Sequence, residues 1–249
     1  MKVSIITISY NAADTIAETI ASVSQQTYPD IEYIVVDGAS NDGTKDIIES
    51  CRASIQTYIS EPDKGIYDAM NKGISLAKGE LIGILNADDV YAHPQVVSRI
   101  VDTMQKTHSD ACYADLQYVD RKNPNKTLRH WEAGEYERSA FLKGWMPPHP
   151  TFFIKRKCYE QMGLYRAQMK ISADYELMLR MLYKHNVKTA YLNEVAVKMK
   201  AGGESNVSLK NRLKANREDR LAWKVNQLKP GKFTFLMKPL GKITQFFKR

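Results

Sequence analysis

Two carboxylates stand side by side, Asp88 and Asp89, at the end of a run that is otherwise apolar: Leu81-Ile82-Gly83-Ile84-Leu85-Asn86-Ala87-Asp88-Asp89-Val90. Adjacent carboxylates repel each other and are costly to hold together unless a cation neutralises them. Hard divalent ions such as Mg²⁺ and Mn²⁺ take carboxylate oxygens and bridge to a ligand's phosphates. The pair therefore reads as a metal–diphosphate site. It reads equally as a turn that caps a helix starting near Pro94, since aspartate suits both places. A third acid, Asp174, lies in Ser172-Ala173-Asp174-Tyr175-Glu176, ahead of Leu177, Met178, Met181 and Leu182. Ser172 reads as the N-cap of a helix there, with Tyr175 where a capping box would have glutamate. Asp174 in the first turn complements the helix dipole for ~0.3–1 kcal/mol, whatever else it does.

The elements that must position these acids follow from hydrophobic periodicity. The run at residues 81–90 suits a strand buried on both faces, with its polar end at the carboxyl edge of a parallel sheet, where open α/β folds bind ligands. Residues 3–8 and 31–36 read as two more such strands and residues 56–60 as a third. Helices fall between them: about residues 14–26, with Ile16, Ile20 and Val23 on one face; a second marked by Ile47, Ile48 and Cys51; and one opened by Asp63-Lys64-Gly65, with Ile66, Met70 and Ile74 inward. This β-α-β-α-β-α-β succession predicts a parallel sheet with right-handed crossovers. No Gly-x-Gly-x-x-Gly follows the first strand and no P-loop occurs, so phosphate binding must use something else, and a metal is the obvious candidate. After a helix at residues 94–106 the alternation breaks down. Short strands are expected at 111–114, 116–119, 127–131, 151–154, 188–192 and 195–199, with the helix led by Ser172 among them. Residues 201–205 read as a mobile loop.

Composition narrows the class. The chain has 249 residues, 43% apolar and 26% charged, ordinary for a soluble globular protein. Three scattered cysteines (Cys51, Cys112, Cys158) are too few for a disulfide framework or a zinc site. The opening Met1-Lys2-Val3-Ser4-Ile5-Ile6 is too short for a signal peptide or a span, and no run of 18 apolar residues occurs. The net charge of +8 is concentrated: residues 198–249 carry 14 Lys+Arg against 3 Asp+Glu, and the rest is slightly acidic. A charged helix at 209–227, whose apolar face rests on Leu213, Ala222 and Leu228, precedes Pro230-Gly231. Then Phe233, Phe235, Leu236, Met237, Leu240, Ile243, Phe246 and Phe247 are interleaved with lysine and arginine. That composition suits an interfacial helix on an anionic membrane better than a nucleic-acid surface, for which no motif is present. The alternative is a helix docked on the body.

Four segments resemble glycosyltransferase family 2, the inverting enzymes of GT-A fold: Val3-Ser4-Ile5-Ile6-Thr7-Ile8-Ser9-Tyr10-Asn11, Val35-Val36-Asp37-Gly38-Ala39-Ser40-Asn41-Asp42-Gly43-Thr44, Asp63-Lys64-Gly65-Ile66-Tyr67-Asp68-Ala69-Met70-Asn71-Lys72-Gly73 and Leu85-Asn86-Ala87-Asp88-Asp89. They follow the family's order and spacing. A weaker match continues through His149-Pro150 and Ala173-Asp174-Tyr175-Glu176-Leu177. The resemblance implies an α/β, Rossmann-like, mostly parallel sheet flanked by helices. It places a GT-A domain at 1–206, with a nucleotide-binding half (1–110) and an acceptor half (111–206), and leaves 207–249 as a basic amphipathic extension.

The resemblance also implies roles. Thr7, Ser9 and Tyr10 belong to the nucleotide pocket, with Tyr10 stacking on the base. Asp37 accepts the base's ring N–H, which favours uracil, and Lys64 approaches the phosphates. Asp88 holds ribose or metal and Asp89 binds the metal, Mn²⁺ or Mg²⁺, on the diphosphate. Asn86 stands where many members have Asp. Asp174 matches the proposed catalytic base, preceded by Ala173 where the family usually has Glu. His149 and Trp145 fall in the acceptor region. The expected reaction moves a sugar from a nucleoside-diphosphate donor, UDP by preference, to a saccharide acceptor. The acceptor is expected to be lipid-linked, in cell-surface polysaccharide or O-antigen assembly, with the enzyme cytoplasmic and peripheral on the inner membrane face through residues 207–249. Two competing readings are a sugar-nucleotidyltransferase, for which no glycine- and arginine-rich nucleotide loop is found, and a non-catalytic module with a degenerate site, to which Asn86 and Ala173 lend support.

Overall fold

In the computed structural model, which describes residues 1–201 and 209–240, the apolar runs of the first ninety residues form a parallel sheet. Strands β1 (Val3–Ser9), β2 (Ile31–Asp37), β3 (Thr57–Ser60) and β4 (Leu81–Asn86) alternate with helices α1 (Ile16–Ser24), α2 (Thr44–Ser50) and α3 (Ile66–Leu76). Side by side they run β3-β2-β1-β4, every pairing parallel. Val3, Ile5, Tyr33, Val35, Leu81 and Leu85 face one apolar layer with Ile16, Ile20 and Val23 of α1 and Ile48 of α2. Ile6, Ile8, Ile34, Val36, Ile82 and Ile84 face the other, with Met70 and Ile74 of α3. Burial on both faces is why these strands read as unbroken apolar runs. The inner stripe of α3 is Tyr67, Met70 and Ile74; Ile66, expected in that stripe, lies on its flank and is 45% exposed.

β4 does not carry on through the acidic pair. It stops at Asn86, the chain turns at Ala87 and Asp88, and a short strand β5 (Asp89–Tyr91) leaves in a new direction. The chain continues with α4 (Val96–Thr107), β6 (Ala111–Val119), β7 (Thr127–Trp131), β8 (Phe153–Lys155), α5 (Arg156–Met162), α6 (Ala173–Met178) and β9 (Thr189–Lys200). A π-helical stretch, Leu179–Lys184, extends α6. The sheet goes on from β4 as β8-β6-β9-β5, with β7 beside β6. β8 is antiparallel to both neighbours, β6 and β9 are parallel, and β9 and β5 antiparallel, so the parallel sheet becomes mixed in this half. β6 and β9 are each one strand where the pattern gave two. Their mutual register shifts on either side of Asp115, and that irregularity breaks the alternation of side chains. Gly83 lies opposite Phe153 of β8, where a Cβ would collide with the ring.

The described part of the C-terminal segment packs on this body. α7 (Leu209–Val225) is mostly polar and Leu213 is 67% exposed, yet Trp223 is among the largest fully buried side chains. The Trp223 indole N–H donates to the Tyr175 hydroxyl at 2.9 Å. α8 (Thr234–Leu240) follows, and the Thr234 hydroxyl donates to the Leu142 carbonyl at 2.5 Å. Of the loop expected at 201–205, residues 202–205 lie outside the described residues, as do Ile243, Phe246 and Phe247.

Candidate active site

The carboxyl ends of the parallel strands meet in register. Ser9 pairs with Asp37, Asp37 with Ser60, and Ile8 with Asn86, so Ser60, Asp37, Ser9 and Asn86 line one edge. Asp37 is fully buried there. It accepts hydrogen bonds from the Ser9 hydroxyl (3.1 Å), the Ser60 hydroxyl (2.6 Å), the Ser40 amide (3.0 Å) and the Ser40 hydroxyl. Each of its oxygens thus has two donors already, and a base N–H would have to displace a serine. In the structure Asp37 organises the loop. That loop is also stitched to the one after β1, where the Asn11 amide donates to Ser40 Oγ at 2.8 Å and the Ala12 amide to Thr44 Oγ1 at 2.8 Å. Ala39 is held at φ 60°, a left-handed conformation costing about 1–2 kcal/mol for a residue with a Cβ. Gly38 passes between Asp63 and Tyr10, and a Cβ there would come within 2.6 Å of Asp63 Oδ2.

Tyr10 stands beyond this edge and is 67% exposed, an aromatic face available for stacking. Thr7 is not at the edge: it is buried, and its hydroxyl accepts that of Tyr33 at 3.0 Å. Lys64 is exposed. Its backbone is fixed at both ends, the amide donating to Asp68 Oδ2 (3.0 Å) and the carbonyl accepting Lys170 Nζ (2.7 Å).

The acidic pair divides its labour. Asp88 is half-buried at the turn, whereas Asp89 is fully buried and its carbonyl accepts the Thr19 hydroxyl at 2.8 Å. One Asp89 oxygen takes a hydrogen bond of 3.3 Å from the Asn86 amide; the other, and Asn86 Oδ1, are buried with no hydrogen-bond partner among the described residues. Burial pushes the Asp89 carboxyl well above the usual carboxylate range, Asp88 beside it pushes it further, and Asn86 offsets part of this. Orphaned oxygens next to a partly exposed carboxylate fit a hard cation that takes one or two protein oxygens and completes its shell with phosphate and water. They do not fit a closed cage, because no three His, Cys, Asp or Glu gather among the described residues.

Asp174 belongs to the second half of the chain. It sits in the first turn of α6. Its Oδ1 accepts the Tyr67 hydroxyl at 3.2 Å, and its Oδ2 lies 3.4 Å from His149 Nδ1. Tyr67 also donates to the Ile171 carbonyl at 2.8 Å; burial and then Asp174 hold its phenol well above the ordinary value, so it stays a donor. Ser172 does not cap α6 with its side chain, which donates instead to the Ala215 carbonyl. Asp89 of β5 pairs with Met199 of β9, and Met199 with Tyr118 of β6, so two strand spacings, about 10 Å, separate the Asp89 and Tyr118 backbones. Burial raises the Tyr118 phenol, Arg129 opposes this, and both Asp89 and Asp174 add to the rise. The Arg129 guanidinium lies over the Tyr118 ring at 4.7 Å and the Trp131 ring at 5.6 Å.

Trp145 is structural in its visible contacts. Its indole N–H donates to the Ala133 carbonyl at 3.0 Å, and its ring packs against Tyr113, Tyr136 and Phe141. Sequence reasoning missed Tyr67, which contacts Asp174. Tyr67 lies within the matched segment Asp63-Lys64-Gly65-Ile66-Tyr67-Asp68, the one local signal that would have found it.

A parallel half ending in an acidic, serine-lined edge and continued by a mixed half defines a GT-A architecture. The chain belongs to glycosyl transferase family 2: residues 4–169 match that family. It is 34% identical over 186 residues to an uncharacterized glycosyltransferase of Mycobacterium tuberculosis, covering 72% of this chain and 68% of the other. It is 28% identical over 207 residues to the PGL/p-HBAD biosynthesis glycosyltransferase of Mycobacterium bovis, covering 82% and 78%. Two solved structures share the fold. Residues 1–349 of TarS from S. aureus, in complex with UDP, give a TM-score of 0.67 at 18% identity, over 92% of this chain and 67% of that one. The mannosyltransferase PcManGT of Pyrobaculum calidifontis, in complex with GDP-Man and Mn²⁺, gives 0.65 at 20% identity, over 99% and 70%. The protein is a glycosyltransferase.

Proposed function

We propose that this glycosyltransferase moves a sugar, with inversion, from a UDP donor to a saccharide acceptor, and that Asp174 is the base. The observation that carries this is the hold on Asp174 from the helix that follows Asp63-Lys64-Gly65: Tyr67 of α3 donates to its carboxylate, and Lys170, in the loop before α6, reaches the Lys64 carbonyl. The reaction is one in-line displacement. Asp174 takes the proton of an acceptor hydroxyl as its oxygen bonds to the anomeric carbon, and the bond from that carbon to the diphosphate oxygen breaks on the opposite face. Tyr67 and His149 hold the Asp174 carboxylate toward the acceptor side. On the donor side Tyr10 offers its exposed ring to the base, the 38–44 loop shaped by Asp37 and Ser9 surrounds the nucleotide, and Lys64 faces the phosphates. Asp88 and the orphaned oxygens of Asn86 and Asp89 would hold a divalent ion, Mn²⁺ or Mg²⁺. When bound, such an ion supplies neutralising charge to the departing diphosphate. The UDP complex of TarS and the Mn²⁺ complex of PcManGT support donor and ion by analogy.

The acceptor reading is a lipid-linked saccharide in surface-polysaccharide or O-antigen assembly, met at an anionic membrane. Exposed Phe233, Leu236 and Met237, with Lys229 and Lys232 beside them, support a peripheral contact there. Among the described residues no helix is long and apolar enough to cross a membrane. The test is a panel of nucleotide sugars, each with and without Mn²⁺, read by thermal shift and by release of nucleoside diphosphate. A UDP-sugar should raise the melting temperature and be turned over, with Mn²⁺ required and Asp88→Asn defective. Stabilisation by no UDP-sugar, or turnover indifferent to EDTA, would refute the donor or the ion respectively.

A further inference from the structure

The base loop has a support that lies outside the family-matched residues 4–169. Three successive backbone N–H groups, those of Lys170, Ile171 and Ser172, converge on the carboxylate of Glu218, on α7. Lys170 N donates to Oε1 at 3.0 Å, and Ile171 N and Ser172 N to Oε2 at 2.8 and 2.9 Å. Glu218 is only 8% exposed. These are the residues directly before α6, whose own N-cap side chain makes no capping bond. Glu218 therefore does from a distant helix what a local cap would do, with charge-assisted bonds. The same loop is bound on two further sides: the Ile171 carbonyl accepts Tyr67, which also holds Asp174, and Lys170 Nζ reaches the Lys64 carbonyl. Glu218 thus fixes a loop that touches both the base and the donor-side lysine.

We propose that Glu218 is a positioning residue for Asp174, so that α7 is part of the catalytic machinery and not a separable appendage. This rests on the reading of Asp174 as the base. Its carboxylate must meet the acceptor hydroxyl within hydrogen-bond reach, and a misplacement of about 1 Å in such a group costs on the order of a hundredfold. Glu218→Gln keeps the side chain's shape but turns one acceptor into a donor facing an N–H. Apart from Lys64, which the loop touches only at its backbone carbonyl, the proposed donor residues lie on or just beyond β1, β2 and β4.

The test uses the full chain with a UDP-sugar and its acceptor. Glu218→Gln should lower kcat about tenfold to a hundredfold with the donor KM within twofold. Glu218→Asp, which keeps the charge but shortens the arm, should fall between. Trp223→Phe cuts another α7–α6 bond, to the Tyr175 hydroxyl, without touching the loop, and should leave kcat within twofold. Should Glu218→Gln not fold, hydrogen exchange carries the decision: the amides of residues 170–172 should be protected in the native enzyme and exchange at least tenfold faster in Glu218→Asp. A kcat for Glu218→Gln within twofold of the native value, a kcat loss matched by Trp223→Phe, or unprotected amides would overturn the proposal. An active native enzyme with Asp174→Asn inactive and Glu218→Gln unaffected removes only the clasp; an Asp174→Asn enzyme of full activity removes the reading beneath it.

Discussion

Asp174→Asn isolates basicity from shape. The amide is isosteric with the carboxylate, so its oxygen can keep the Tyr67 hydrogen bond of 3.2 Å at Oδ1. The other atom becomes an NH₂ opposite His149 Nδ1, at 3.4 Å, where both side chains are partly open (29% and 18%) and water can adjust. No buried charge is stranded, so the fold should hold to within about 1 kcal/mol. What disappears is the proton acceptor. Positioned general bases contribute about 10²–10⁴-fold, which is about 2.7–5.4 kcal/mol of barrier. Initial rates of nucleoside-diphosphate release at saturating donor and acceptor should fall by that factor. Calorimetric titration with the donor should be nearly unchanged, because Asp174 approaches from α6 and not from the strand ends. A kcat within threefold of the native enzyme would refute the assignment. A donor affinity lost in parallel with kcat would show that Asp174 belongs to the nucleotide pocket.

Further outcomes follow from neighbouring groups. Tyr67→Phe removes the donor shared by Ile171 and Asp174; it should cost about 1–2 kcal/mol in denaturant melts and lower kcat about tenfold with donor binding intact. Glu176 is fully buried, and burial alone would raise its carboxyl, but Arg180, Asn226 and Arg166 outweigh this and hold it below the usual range. A carboxylate lowered in the folded state contributes stability that is complete above its unfolded value of about 4.3 and is lost as pH falls through the folded value. The melting temperature should therefore drop below about pH 4.3, and Glu176→Gln, leaving Arg180 partly unpaired, should lose about 3–5 kcal/mol at pH 7. Burial pushes the Cys112 thiol up to about 12 and the Cys158 thiol up to about 11. Brief alkylation of the native enzyme at pH 8 should therefore label only the partly exposed Cys51; mass spectrometry showing equal labelling of all three would contradict the packing.

The first ninety residues were legible because their signals are local. Strands buried on both faces announce themselves as apolar runs, and the acids after β4 mark the carboxyl edge of the parallel sheet. The second half was less legible for identifiable reasons. β6 and β9 pass through a register shift at Asp115, so each read as two strands. The turn inside Asn86-Ala87-Asp88-Asp89 splits one apparent strand into two elements that pair with different neighbours. The charged helix at 209–227 showed little apolar face in sequence because Ala222 and Trp223 share its buried side with the polar Glu218 and Asp219. Asp174 and Tyr67 are 107 residues apart, and the three amides held by Glu218 are 46 to 48 residues from it. Nothing in a local window encodes such contacts. Thr7, matched to the family's first strand, accepts the Tyr33 hydroxyl in the core.

The charged cluster behind Asp174 is best understood through orientation. Arg180 grips both oxygens of Glu176 and also reaches the carbonyls of Met162, Gly163 and Leu164, while Arg166 and Asn226 add to the same carboxylate. Energy alone does not account for this, since apolar groups of similar volume often serve a buried position equally well. An apolar patch would tolerate a helix turning about its own axis; a network with fixed donors and acceptors does not. Glu176 is two residues after Asp174, about 200° around the helix, so the network grips the face of α6 opposite the one that presents Asp174. At a Cα radius of about 2.3 Å a turn of about 20° displaces the backbone by about 0.8 Å, and a carboxylate further out by more. That is the scale on which a proton acceptor loses its alignment with a hydroxyl. The ion network on one face of α6 and the Glu218 contacts at its N-terminus therefore restrain different motions, rotation and translation, of the same acid.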